Sequence, residues 1–311
     1  MRWKDLPTIL KVFFSFVLVT VGYLILFKLT LLGAKLINDP IDRQILLALQ
    51  PDRYVPVIDE LMIFMTHFDT YLFSITTLSW LITYLIVRRS ERLAYIASYV
   101  WKGLAVTLSV YHLCGLWIHS YGIFWWREHH YKSVFIILSL VSFVIFWFGS
   151  YTWVKWDYAQ RKMWARVLLI AIVSIFYNEH GENNIKRIVG RPRPLHDSNK
   201  PWNEQIRVIP DEVVKSSPSY ISGHASSLFA LVTPAIWATR RKWVKISLFG
   251  WATLHAYTRV YTAAHFPYCT FMGSLFGFLV GTLVYWSFWW FVRSPNFSGN
   301  ASPPSSPSPA T

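Results

Sequence analysis

Cysteine is nearly absent from this chain: Cys114 and Cys269 are its two in 311 residues. Both lie in or beside apolar segments, so the sequence offers no disulfide framework and no CxxC metal pattern. Charge is also scarce, at 15% of residues, and negative charge scarcer, with 16 Asp and Glu against 30 Lys and Arg. A net charge of +14 in a soluble domain would point to nucleic acid. Here the cations sit mostly between apolar blocks, which excludes nucleic acid and favours anionic lipid or phosphate as the partner class. No internal repeat of convincing period is visible.

What the chain has in quantity is apolar surface, 54% hydrophobic and 18% aromatic residues. Runs long enough to cross ~30 Å of hydrocarbon fall at 8–36, 61–87, 98–118, 133–154, 165–186, 222–239, 243–263 and 267–292. They predict an all-α fold, a polytopic transmembrane bundle of about eight spans. Run 98–118 carries Lys102 and His112, and run 222–239 is short with a polar start. The first run is too long for a signal-peptide core and lacks a small-residue cleavage site, so it reads as a retained anchor. Residues 1–293 form the membrane domain in this reading. The Pro/Ser-rich tail 294–311 has too few apolar residues to fold and is expected to be disordered.

With the N-terminus inside, Arg2, Lys4, "RRSER" at 88–92, "KWDYAQRK" at 155–162, "RRK" at 240–242 and Arg293 share one side. That asymmetry predicts cytoplasmic termini. The acidic segment 38–60, the aromatic turn 121–132 and the long loop 187–221 then lie on the opposite side. In "NNIKRIVGRPRPLHD", residues 183–197, Lys186, Arg187, Arg191 and Arg193 are therefore outside, where a topology signal would not place them.

Two further segments reach the same face. Ser222 and Gly223 of "ISGHASSLFA" precede a helical run whose exposed N–H groups and dipole make an anion site, with His224 at that end. In "HAYTRVYTAAHFPYC", Arg259 lies inside an apolar run, where a cation marks a functional site by default, and His265 precedes Pro267, a residue suited to a first helical turn. Two imidazoles, fixed cations and a helix N-terminus thus converge, without the carboxylate cluster that Mg²⁺ or Ca²⁺ needs. The set suits metal-free phosphoryl chemistry: cations hold the phosphate oxygens, one imidazole attacks phosphorus and the other protonates the leaving oxygen. No cofactor and no metal is expected.

These blocks resemble the type 2 phosphatidic acid phosphatase superfamily, whose signature is KxxxxxxRP, PSGH and SRxxxxxHxxxD. Here they are Lys186 to Arg193-Pro194, "ISGH" at 221–224 and "TRVYTAAHFPYC" at 258–269. The likeness covers about residues 165–292. It implies a six-helix phosphatase core completed by the first two spans, with the spans near 98–154 as additions. It implies further that Lys186, Arg193 and Arg259 bind phosphate with Ser222 and Gly223, that His265 is the nucleophile forming a phosphohistidine, and that His224 is the acid for the leaving group. Ile221 and Thr258 replace the family's Pro and Ser. Cys269 stands at the orienting position, where the family has Asp. A thiol is a weak acceptor, so another group must hold His265: a backbone carbonyl, or a polar residue such as Glu179 or Glu182. "AAHFP" is also similar to the glucose-6-phosphatase branch, which lacks that Asp and is enzymatic.

The reading that results is an integral membrane phosphatase acting on a lipid phosphate or pyrophosphate at the extracytoplasmic face. Candidate substrates are phosphatidate, polyprenyl pyrophosphate or a phosphorylated glycolipid such as lipid A. The alternatives are a phosphotransferase using the same site and a catalytically impaired homologue that binds or transports lipid.

Overall fold

The computed structural model describes residues 6–67, 69–88, 90–115, 132–208 and 217–292. The expected tail, residues 121–131 of the aromatic turn 121–132 and residues 116–118 of run 98–118 lie outside them. Regular structure in the described residues is helical throughout. In chain order the helices are α1 (Thr8–Gly33), α2 (Asp39–Leu49), α3 (Ile58–His67), α4 (Asp69–Val87), α5 (Glu91–Gly115), α6 (Lys132–Gly149), α7 (Tyr151–Lys155), α8 (Tyr158–Val189), α9 (Gly223–Ala238), α10 (Lys242–Tyr261), α11 (Pro267–Ser287) and α12 (Trp289–Val292).

Every apolar run is helical over most of its described residues. Run 61–87 holds α3 and α4 on either side of residue 68, and two runs are divided: run 133–154 into α6 and α7, and run 267–292 into α11 and α12. At the α6–α7 break, Ser150 Oγ donates to the Trp147 carbonyl at 2.6 Å, so a side chain competes with the backbone ladder there. Helix α2 lies between runs and carries its own start signal. Asn38 accepts from Ile41 N, Pro40 occupies the first turn, and Asp39 and Asp42 suit the positive helix end. Helix α8 opens with a reciprocal cap, Gln160 N donating to Asp157 Oδ1 at 2.7 Å and Asp157 N to Gln160 Oε1 at 3.2 Å.

Four helical stretches among the described residues are long and apolar enough to cross a membrane: 8–36, 91–114, 136–155 and 267–287. Helix α1 shows why such a chain is unsuited to water. It touches the bundle along Ser15, Val19, Tyr23 and Thr30 and exposes Phe13, Phe14, Val17, Leu18, Val21, Leu24, Ile25 and Leu29. A continuous apolar face of this size is stable against lipid. Within α5, Lys102 sits over the Tyr99 and Trp147 rings, 5.3 and 5.6 Å from their centroids, and buried His112 meets Ser142 Oγ at 3.1 Å. Both polar groups of that apolar run therefore have partners inside the bundle.

Helix α9 is the central element, packed by α8, α10 and α11. Gly273 and Gly277 of α11 lie directly against the α9 backbone. This close approach ties the start of α9 to the start of α11, and Ser222 N donates to the Cys269 carbonyl at 3.0 Å. Helices α8, α9 and α10 are less apolar or shorter than the four spans. The first and last carry Asn178, Glu182, Lys186, His255 and Arg259, and the described part of the bundle gathers its polar interior there.

Candidate active site

The site begins where α8 stops. Gly190 adopts φ +64°, a left-handed conformation that glycine takes without steric cost, and its N–H caps the Lys186 carbonyl at 2.9 Å. The chain then turns into "RPRP". Lys186 remains on the last turn of α8, its ammonium paired with Glu182 one turn earlier. Glu182 is buried, accepts from Ser226 Oγ at 3.4 Å, and presses on Gly223, where an added Cβ would stand 2.0 Å from Oε1. A side chain at position 223 would have to displace the Glu182 carboxylate.

Arg193 is buried and held by neutral acceptors: Nε to the Ser217 carbonyl at 2.8 Å, Nη1 to the Ala264 carbonyl at 2.8 Å and Nη2 to Ser217 Oγ at 3.0 Å. These bonds aim the guanidinium at the turn carrying His265. Arg259, fully buried on the last turn of α10, accepts from His265 N at its carbonyl at 3.0 Å, which folds the turn back over the helix end.

His265 is 1% exposed. Its Nδ1 lies 2.8 Å from the Ser219 carbonyl and 3.3 Å from Ser219 Oγ. A carbonyl only accepts, so Nδ1 carries the proton and Nε2 keeps its lone pair. Burial first, then the charges of Arg193, Arg259 and Lys186, hold the His265 pKa well below the ordinary 6.5. The imidazole is thus neutral, and three cations from two separate sequence blocks, Lys186 and Arg193 of one and Arg259 of the other, act on one ring.

Ser222 occupies the N-cap position of α9 without a side-chain cap bond, and its buried Oγ has no hydrogen-bond partner among the described residues. His224, on the first turn, lies nearly parallel to the His255 ring, 6.3 Å between centroids. His255 is fully buried four residues before Arg259, on the same face of α10.

Cys269 is buried, and its sulfur faces Arg191, whose Nη1 donates to it at 3.0 Å. Of the three acceptors expected for His265, the backbone carbonyl is the one observed. Glu179 instead takes a bond from Ser227 Oγ at 2.5 Å, and Glu182 is engaged by Lys186. Sequence reasoning passed over Ser219, His255, Asp42 and the pairing of Glu182. The available signals were the i, i+4 spacing of His255 and Arg259 and the charge reading that puts segments 38–60 and 187–221 on one and the same side. Among the described residues no three His, Cys, Asp or Glu side chains gather to hold a metal ion.

The PAP2 superfamily matches residues 164–293. Lipid A 4′-phosphatase of Bacteroides thetaiotaomicron is 25% identical over 152 residues, covering 48% of this chain and 67% of that protein. No solved structure matches the chain. The superfamily match agrees with the motifs at 186–194, 221–224 and 258–269. All three motifs lie within residues 164–293, the part of the chain that matches the PAP2 superfamily.

Proposed function

We propose that this chain is an integral membrane phosphatase that hydrolyses a lipid phosphate or lipid pyrophosphate through a phosphohistidine on His265, without a metal ion. The observation that carries the proposal is the neutral His265 ring, its Nδ1–H engaged by Ser219 and its Nε2 lone pair available amid Lys186, Arg193 and Arg259.

The three cations and the N–H groups at the start of α9 hold the phosphate oxygens. His265 Nε2 attacks phosphorus, the bond to the leaving oxygen breaks, and His224 gives that oxygen its proton. Water then attacks the phosphohistidine, His224 takes a proton from it, and inorganic phosphate leaves with His265 restored. Ser222 Oγ, buried with no hydrogen-bond partner among the described residues, is a donor for a phosphate oxygen. Donors fixed in advance, in surroundings of low dielectric, stabilise a five-coordinate phosphorus more than they stabilise the substrate.

The lipid character of the substrate rests on the exposed apolar faces of the helices, that of α1 above all, and on the name of the Bacteroides relative, a lipid A 4′-phosphatase. Phosphatidate, polyprenyl pyrophosphate and a phosphorylated glycolipid such as lipid A all fit. The architecture proposed with this activity has about eight spans, a six-helix core with blocks in 165–292, additional spans near 98–154, cytoplasmic termini and an extracytoplasmic site. Residues 1–293 form the membrane domain and 294–311 a disordered tail.

The test uses the purified full chain in detergent with EDTA present, offered phosphatidate, polyprenyl pyrophosphate, lipid A and glucose 6-phosphate. Phosphate release that vanadate inhibits is expected from a lipid substrate. His265→Ala traps no covalent phosphate. His224→Ala slows phosphoenzyme formation, least for substrates with good leaving groups. Activity abolished by EDTA and restored by Mg²⁺, or covalent phosphate retained in His265→Ala, rejects the mechanism.

A further inference from the structure

Cys269 lies four residues after His265, on the first turn of α11, and what surrounds its sulfur is a built cluster. Arg191 donates to Sγ at 3.0 Å, pairs with Asp42 Oδ2 at 2.7 Å and Asp39 Oδ1 at 2.6 Å, and lies 4.0 Å over the Phe266 ring centroid. Both aspartates come from the first turn of α2. Asp42 is 4% exposed, and its Oδ1 accepts from Tyr268 N at 2.8 Å, which ties it to the first turn of α11. A buried carboxylate that takes both a guanidinium and a helix-terminal N–H is charged and firmly placed.

The cluster connects to the imidazole through the backbone. Ser219 N donates to the Arg191 carbonyl at 2.7 Å, and the Ser219 carbonyl accepts from His265 Nδ1 at 2.8 Å. Burial alone would expel a lone guanidinium from this position. Its place, and with it the place of Ser219, depends on the α2 carboxylates. Cys269 contributes a sulfur and no negative charge: burial raises its neighbourhood's demand for a paired ion, and Asp42 supplies the pair.

We propose that Asp42, on a helix outside the segment matched to the superfamily, is the positioning carboxylate for His265, acting through Arg191 and Ser219. The negative charge that position 269 lacks is delivered from α2. The inference rests on the reading of His265 as the nucleophile, and Asp42 itself touches no reacting atom.

The decisive experiment relocates the carboxylate. The full chain and the variants Asp42→Asn, Cys269→Asp and the double Asp42→Asn/Cys269→Asp are purified in detergent. They are assayed with dioctanoyl phosphatidate for kcat and KM, with vanadate inhibition as the measure of an intact phosphate site. Asp42→Asn is expected to lower kcat on the order of 10- to 100-fold through misplacement of His265, leaving KM nearly unchanged. Cys269→Asp alone gives no gain, because Arg191 is already paired. In the double variant the new carboxylate meets Arg191 directly, and kcat recovers at least about tenfold over Asp42→Asn, a non-additivity that contacting residues show. Parental kcat in Asp42→Asn overturns the inference, as does a double variant that is no more active than Asp42→Asn. Should Asp42→Asn fail to fold, a folded and active double variant supports the swap, and a double variant that is unfolded or inactive overturns it. If the parent chain releases no phosphate and traps none on His265, the proposed function itself has failed. A failed swap in an active parent rejects this inference alone.

Discussion

Replacing Gly277 by Ala tests whether the α9–α11 contact sets the geometry of the site. A Cβ at 277 would stand 2.0 Å from the Ser226 carbonyl oxygen, 2.7 Å from its carbon and 2.9 Å from its Cα, all backbone atoms of α9. Contacts below 3.0 Å do not persist, so the two helices must part by about 1 Å. A helix backbone gives way as a unit. Ser226 N bonds to the Ser222 carbonyl at 3.0 Å, so the movement reaches Ser222, Gly223 and His224. Overpacking of this kind costs about 1–3 kcal/mol, and a displacement of ~1 Å in a catalytic constellation costs on the order of 10²-fold in rate. The assay is kcat on a lipid phosphate, with thermal denaturation in the same detergent. Gly250→Ala and Gly103→Ala are controls, since nothing lies within 4 Å of either added methyl. They should keep full activity and gain up to about 1 kcal/mol from helix propensity. A Gly277→Ala enzyme with parental kcat and an unshifted melting temperature would refute the argument.

Three other outcomes follow from particular contacts. Asp59, 1% exposed, accepts from Arg207 at 2.7 and 2.9 Å and from the Tyr261 hydroxyl. Asp59→Ala strands a largely buried guanidinium and should destabilise the chain by about 3 kcal/mol, read as a lowered melting temperature; no change would mean the pair contributes nothing. The acid limb of phosphoenzyme formation should fall well below pH 6.5, since His265 is held neutral. Because its folded value lies below the unfolded one, the matching contribution to stability is full above about pH 6.5 and is lost as pH falls from there through the folded value. An acid limb set by His265 at or above pH 6.5 would contradict the burial argument. A cysteine placed in loop 198–206 should react with an impermeant maleimide in intact cells, and one at Ser90 should not; the reversed pattern would invert the topology and the substrate leaflet.

Much of the fold could be read before any coordinates. Each apolar run had to be helical, because in hydrocarbon a segment must satisfy its own backbone. The charges between runs then assigned the segments around Lys186, Ser222 and His265 to one face, where Lys186, Arg193 and Arg259 do act on a single imidazole. Helix α2 was less visible, its apolar residues at 41 and 45–49 being too few for a span and its start signal hidden in an acidic stretch read only for charge.

The sequence by itself determined the helices, the three motifs and their common end of the bundle, since periodicity, turn chemistry and hydropathy are local quantities. The tertiary structure alone decided which atoms meet. His265 is held by Ser219, 46 positions away, Cys269 faces Arg191, 78 positions away, and Arg191 reaches back 152 positions to Asp39 and pairs with Asp42. Those pairings depend on how far each helix is rotated about its axis and how closely α9 and α11 approach. Both are set by packing across the whole bundle, with glycines of α11 seated against the backbone of α9.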